Sequence, residues 1–202
     1  MPKPDSKKSA TPPVPLHILY VEDTPADAEL CLHDLKKAGF EPHADIVSTP
    51  GEFKEKLRSK PYDIILSDCS LPKFSAMEAL EFVKEEAPDL PFILVTGTLG
   101  DEGAVQAIKQ GATDYVLKDR RARLASSVRR ALEEKKTRQE RKQAEEALAA
   151  SEIRYRRLFE TAKDGILILD AETGIIVDVN PFLIELLGSP REHFLRKHFW
   201  DL

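Results

Sequence analysis

Short apolar runs at 16–21, 43–47, 64–67, 92–96 and 114–117 punctuate the first part of this chain, and the stretches between them repeat apolar residues at helical spacing. Ala28, Cys31, Leu35 and Ala38 mark a first helix, and Phe53 and Leu57 a second. Met77, Leu80, Phe82 and Val83 mark a third, and Ala104, Val105, Ile108 and Ala112 a fourth. Gly39, Pro61, Pro91 and Gly111 fall between elements, and Asp101 is placed to cap the fourth helix. Alternating strand and helix predict an α/β fold: a five-stranded parallel, doubly wound sheet with right-handed crossovers. Strands so uniformly apolar fit burial on both faces.

A fifth helix is predicted from near Leu124, and nothing in the sequence stops it. Residues 133–143 contain neither Gly nor Pro and no large apolar side chain. Ala144, Leu148, Ser151, Tyr155 and Leu158 then resume a 4-3-4-3 spacing, which suits pairing with a second copy. A helical connector of roughly 35 residues would span about 50 Å at 1.5 Å per residue. Beyond Phe159 the texture changes. Gly165–Asp170 and Ile175–Asn180, around a turn containing Gly174, read as a β-hairpin. Pro181 opens a short helix ended by Gly188, and another amphipathic helix follows from about Arg191. Two strands and two short helices make a small core, so the chain is expected to end inside a domain. The expected organisation is a disordered tail over 1–15, an α/β domain over 16–132, a helical linker over 133–153 continuous with the last helix, and a partial α+β domain over 154–202.

Composition narrows the classes of function. The tail holds five prolines and no apolar periodicity, and no apolar core follows its lysines, which excludes a signal peptide. No run of about 18 apolar residues is present to span a membrane. Cys31 and Cys69 lie in neither a metal nor a disulfide spacing, which fits a reducing cytoplasm. The net charge of −5 conceals a basic stretch: residues 118–143 carry eleven Lys or Arg against four Asp or Glu. On an extended helix such a run is more often a solvated face than a nucleic-acid or lipid contact, so no nucleic-acid partner is expected.

The chemistry lies at the strand ends. Glu22 and Asp23 follow the first apolar run, Asp68 closes the third, Thr96 closes the fourth and Lys118 follows the fifth. In an open parallel sheet these ends converge on one edge, where ligands bind. Carboxylates brought within about 4 Å repel by roughly 4 kcal/mol per pair at an effective dielectric near 20, so they must protonate, stay solvated or find cations. Oxygen-only ligands suit Mg²⁺, an aspartate can take a phosphoryl group as an acyl phosphate, and a lysine and a metal can supply the neutralising charge. Singly, each residue has a plainer role: Asp23 or Thr24 as a helix cap, Asp68 as a turn residue, Lys118 as a surface lysine, Thr96 as a β-branched strand residue. Their joint placement on one sheet edge outweighs those roles.

Residues 16–132 resemble the receiver domain of two-component response regulators, whose sheet is flavodoxin-like. The matching segments are Ile18–Asp27, Tyr62–Pro72, Val95-Thr-Gly97 and Gly111–Lys118. The resemblance implies Asp68 as phospho-acceptor and Glu22, Asp23, Asp68 and the Ser70 carbonyl as Mg²⁺ ligands. It further implies Thr96 and Lys118 as phosphoryl-binding groups, Tyr115 as the aromatic that reports phosphorylation, and Ser70 and Thr98 as positions tuning acyl-phosphate lifetime. A histidine kinase or phosphotransfer protein would be the partner. Asp119 stands where most receivers have proline after the lysine, and Ala76 where glycine is usual.

Residues 151–170 with Val177–Pro181 resemble the start of a PAS sensory domain, and the charged helix before it resembles signalling helices that join such modules. The composite implies a phosphorylatable, cytoplasmic signalling protein, dimeric through its linker, rather than an enzyme. Four other readings compete: a receiver-like scaffold that works without phosphorylation, a fragment of a hybrid sensor histidine kinase, a nucleotide-binding enzyme and a DNA-binding regulator. The nucleotide reading founders on Gly97–Gly103, which is neither a P-loop nor G-x-G-x-x-G and carries Asp101 and Glu102. The DNA reading lacks a helix-turn-helix or zipper.

Overall fold

The structure, a computed structural model, describes residues 12–69, 71, 74–97 and 106–201. The chain divides into two compact units between Arg138 and Gln139.

In the first unit the strands are β1 (Val14–Val21), β2 (Phe40–Val47), β3 (Ile64–Asp68), β4 (Phe92–Thr96) and β5 (Asp114–Leu117). They form one parallel sheet in the order β2-β1-β3-β4-β5. This is the doubly wound, flavodoxin-like order, with its switch point between β1 and β3. The helices are α1 (Pro25–Lys37), α2 (Pro50–Ser59), α3 (Ala76–Glu86), a segment α4 at 106–109, and the start of α5 (Leu124–Thr161). The expected Asp101 cap, Ala104 and Val105 lie outside the described residues, as do Ser70 and Thr98.

Period-two alternation divides β1 between two cores. Leu16, Ile18 and Tyr20 pack with Ala28, Cys31 and Leu35 of α1 and with Leu124, Val128 and Ala131 of α5. Leu19 and Val21 face the other way, onto Phe53 of α2 and Leu80 and Val83 of α3. Local signals set the helix starts. Thr49 caps α2 by accepting from Glu52 N–H, and Ser75 with Glu78 makes a capping box on α3. Gly111, at φ +93°, turns the chain into β5 under Lys84, whose Cε would lie 2.8 Å from any added Cβ.

β1 starts at Val14 and β2 at Phe40, earlier than their apolar runs suggest, because β2 pairs with β1 along its whole length. A 3-10 turn over Lys118–Arg123 separates β5 from α5. The basic stretch that follows is largely spent on this unit. Arg121 pairs with Asp34 at 3.3 Å, Arg130 and Arg123 with the buried Asp114 at 2.6 and 3.6 Å, and Arg138 with Asp89 at 3.7 Å. Lys135 Nζ donates to the Tyr62 and Asp63 carbonyls. The expected solvated face is thus partly a clamp, and what remains solvated is the stretch beyond it: from Lys136 to Leu158 every residue of α5 is exposed.

In the second unit β6 (Leu167–Leu169) and β7 (Ile176–Val179) form an antiparallel pair, followed by α6 (Pro181–Leu187) and α7 (Arg191–Phe194). Ile176, Val179 and Phe194 are its core, with Leu167, Leu183 and Ile184 against them. Buried Asn180 joins three pieces: its Oδ1 accepts from Ile166 and Leu183 N–H, and its Nδ2 donates to the Asp164 carbonyl.

Candidate functional site

At the carboxyl ends of β1, β3 and β5, three of the expected residues, Glu22, Asp68 and Lys118, come together. Lys118, the first residue after β5, lies with its ammonium among three carboxylates: Glu22 Oε2 at 3.0 Å, Asp68 Oδ2 at 2.8 Å and Asp27 Oδ2 at 2.6 Å. Glu22 is buried immediately after β1, and its other oxygen accepts from Thr24 N–H at 3.1 Å. Asp68 is buried at the end of β3, with its carbonyl accepting from Ser67 Oγ. Each stands where an inward-facing strand stops, so packing of the strand fixes the position of the acid.

Asp27 is the residue that the sequence reading missed. It sits in the first turn of α1, one helical turn beyond Asp23. The Pro25 start and the acid two residues later are a helix-opening signal, and nothing in one sequence marks that acid as more than dipole compensation. Asp23 takes a different place: it is exposed, and its Oδ1 accepts from Thr24 Oγ1 at 3.3 Å.

The electrostatics follow from burial. Burial draws the Lys118 pKa down, but the hydrogen bonds it donates to Asp27, Asp68 and Glu22 outweigh it and leave it raised. Burial pushes the Glu22 pKa above its ordinary value, against the Lys118 and Thr24 hydrogen bonds that favour its charged form. Cys69, next to Asp68, has its thiol pKa raised, first by burial and then by the Asp68 charge.

Thr96 ends β4 fully buried, and among the described residues its Oγ1 has no hydrogen-bond partner. A buried hydroxyl without a partner costs free energy. Tyr115, half-buried on β5, lies with its ring 5.9 Å from the Arg123 guanidinium. The Gly97–Gly103 loop is described only at Gly97.

The donor set suits a hard divalent cation. It is all oxygen, with Glu22, Asp27 and Asp68 sharing one ammonium and Asp23 exposed beside them. As they stand, the carboxylates converge on Lys118. Among the described residues, no three His, Cys, Asp or Glu side chains are grouped around a common metal position.

A doubly wound α/β unit with an acidic, lysine-bridged site at its strand ends defines a class, and comparison with known proteins gives the family. Residues 18–129 match the response regulator receiver domain, and residues 153–202 match a PAS domain. The chain belongs to the response regulator receiver family. The luminescence regulatory protein LuxO of Vibrio campbellii is 35% identical over 98 residues, 48% of this chain and 21% of that protein. Two-component response regulator ARR11 of Arabidopsis thaliana is 33% identical over 117 residues, 55% of this chain and 21% of its own length. The chain thus spans about a fifth of the length of these curated relatives.

Among solved structures, the CheY-like receiver domain protein of Methanospirillum hungatei is 27% identical, with a TM-score of 0.54 over 61% of this chain and 98% of its own. The receiver domain of a signal transduction histidine kinase from Syntrophus aciditrophicus is 29% identical, with a TM-score of 0.51 over 58% and 90%. Receiver domains are mostly signalling modules that generally bind Mg²⁺ at their phosphorylation site. Among the described residues, no helix is long and apolar enough to cross a membrane.

Proposed function

We propose that this chain is a phosphorylatable receiver that takes a phosphoryl group on Asp68 and passes the resulting state through α5 to the PAS-like unit. The observation that carries the reading is the Lys118 ammonium held 2.8 Å from Asp68 at a strand edge where Thr96 presents an unpartnered buried hydroxyl. Mg²⁺, held by Glu22, Asp23, Asp68 and the Ser70 carbonyl, would neutralise charge on the transferring group. The chain's own groups supply the remainder. Asp68 is the nucleophile, Lys118 draws phosphoryl oxygens to its side, and Thr96 donates to them from the other. Attack forms one O–P bond to Asp68 as the donor's bond to phosphorus breaks and the donor's leaving group departs.

The route to α5 has named parts. Thr96 turning toward the phosphoryl group opens space beside Tyr115, whose ring lies near Arg123 of the turn that leads into α5. Asp114, next to Tyr115, holds Arg130 of α5 at 2.6 Å. Movement of β5 therefore reaches α5 through two arginines. Exposed Leu148, Tyr155 and Leu158, in the 4-3-4-3 series with Ala144 and Ser151, support parallel pairing of α5 with a second copy. The cellular setting that fits is the cytoplasm, with two unpaired cysteines and a kinase partner.

Incubation with acetyl phosphate and Mg²⁺, followed by intact mass, tests the acceptor. Wild type gains the mass of one phosphoryl group and Asp68→Asn gains none; labelling that survives the substitution rejects the assignment. The similarity to a receiver from a histidine kinase favours, as a second reading, a place beside a kinase in a larger protein. ATP-dependent autophosphorylation would distinguish the two.

A further inference from the structure

Lys118 has three N–H donors, and all three are engaged by carboxylates. The contact to Asp27, at 2.6 Å, is the shortest of them. Its carboxylate is also the most open of the three: Asp27 is 35% exposed, Asp68 11% and Glu22 0%.

A phosphoryl group on Asp68 adds anionic acceptors beside an ammonium that has no donor to spare. To grip it from the Lys118 side, one existing partner must release a hydrogen. Glu22 is the costliest to strip of its counter-charge, because it is fully buried. Asp68 carries the phosphoryl group itself. Asp27 is partly in water, so it gives up the lysine at the least cost.

We infer that Asp27 is a positioning residue that acts through Lys118, holding the ammonium toward α1 while Asp68 is unmodified and yielding it when a phosphoryl group arrives. The inference rests on the phospho-acceptor reading of Asp68. Its consequence is directional. Asp27 competes for the cation that the phosphoryl group needs and places a like charge near it, so it opposes the phosphorylated state and sets how easily the switch is thrown.

The test uses the full chain and trifluoroberyllate, a tetrahedral mimic of the phosphoryl group, titrated at saturating Mg²⁺ with occupancy read by ¹⁹F NMR. Asp27→Asn is expected to bind it about threefold more tightly than wild type or better. Asp27→Glu restores the charge and returns the affinity toward wild type. In a Lys118→Gln background most of the gain from Asp27→Asn disappears, because the two residues act as one unit.

A second readout needs neither metal nor anion. The Lys118 ammonium signal in ¹H–¹⁵N spectra, protected by three ion pairs, shifts or broadens in Asp27→Asn and stays in place in Asp23→Asn. Equal or weaker binding by Asp27→Asn, an undiminished gain without Lys118, or an ammonium signal indifferent to Asp27 overturns the inference alone. Failure of wild type to bind trifluoroberyllate overturns the phospho-acceptor reading, and this inference with it.

Discussion

Replacing Lys118 with methionine removes the ammonium that Glu22, Asp27 and Asp68 share, while keeping the apolar stem. Unit charges 3 Å apart attract by about 5 kcal/mol at an effective dielectric near 20, and desolvation takes back much of that. Breaking a buried pair from one side costs about 3–5 kcal/mol. Glu22 is the fully buried member, and the more open Asp27 contributes less. Lys118→Met should therefore lose about 3 kcal/mol of stability at pH 7, the low end of that range, because Glu22 can partly escape by taking a proton. The sign with pH follows from that escape. Glu22 has a folded pKa raised above its unfolded value, so its contribution is most favourable at low pH and is lost as pH rises through the folded pKa. Without the lysine only the Thr24 N–H still favours its charge, so the deficit should shrink as pH falls from 7 toward 4.5. Urea unfolding of the full chain, followed by circular dichroism, measures it; the single tryptophan, Trp200, lies in the second unit and reports the wrong part. A deficit under about 1 kcal/mol, or one that ignores pH, would refute the buried ion cluster as described.

Three other outcomes are expected. Thr96→Val removes the unpartnered hydroxyl and should raise stability by about 1 kcal/mol while weakening trifluoroberyllate binding, measured by unfolding and by ¹⁹F titration. Asp45 has its pKa lowered by Lys60 and then Tyr62, so its contribution is present above 3.8 and lost as pH falls through the folded value. Asp45→Asn should accordingly destabilise at pH 7 and converge with wild type below pH 3.8 in parallel unfolding curves. Asn180→Ala strips three hydrogen bonds from a buried hub and should cost the second unit about 2 kcal/mol, seen by hydrogen exchange at Ile166 and Leu183.

The central strands β1, β3 and β4 could be read from the sequence because burial on both faces writes itself as apolar runs, and Glu22, Asp68, Thr96 and Lys118 could be found because each stands at or just after a strand end. Asp27 could not. A helix-opening acid looks the same whether it faces water or a lysine 91 residues away. The Asp114 clamp was hidden for a related reason: an acid at a strand start and arginines on a later helix meet only through topology. Asn180 reads as a cap for α6, which it is, but its bonds to Ile166 and Asp164 depend on the hairpin's register. Period and punctuation report single elements, whereas a polar contact between distant elements leaves no periodic trace.

The exposed middle of α5 carries ion pairs within the helix itself, such as Arg141 with Glu145 and Arg156 with Glu152. Each such pair is worth a few tenths of a kcal/mol and fades with salt. Between its anchored ends this helix behaves as a fuse: amide protons there should be among the first to exchange, and proteases should cut there before they reach either end. A torsion or fraying imposed at Arg130 then meets little resistance along the exposed turns, and a second chain laid against Leu148 and Leu158 would stiffen the span.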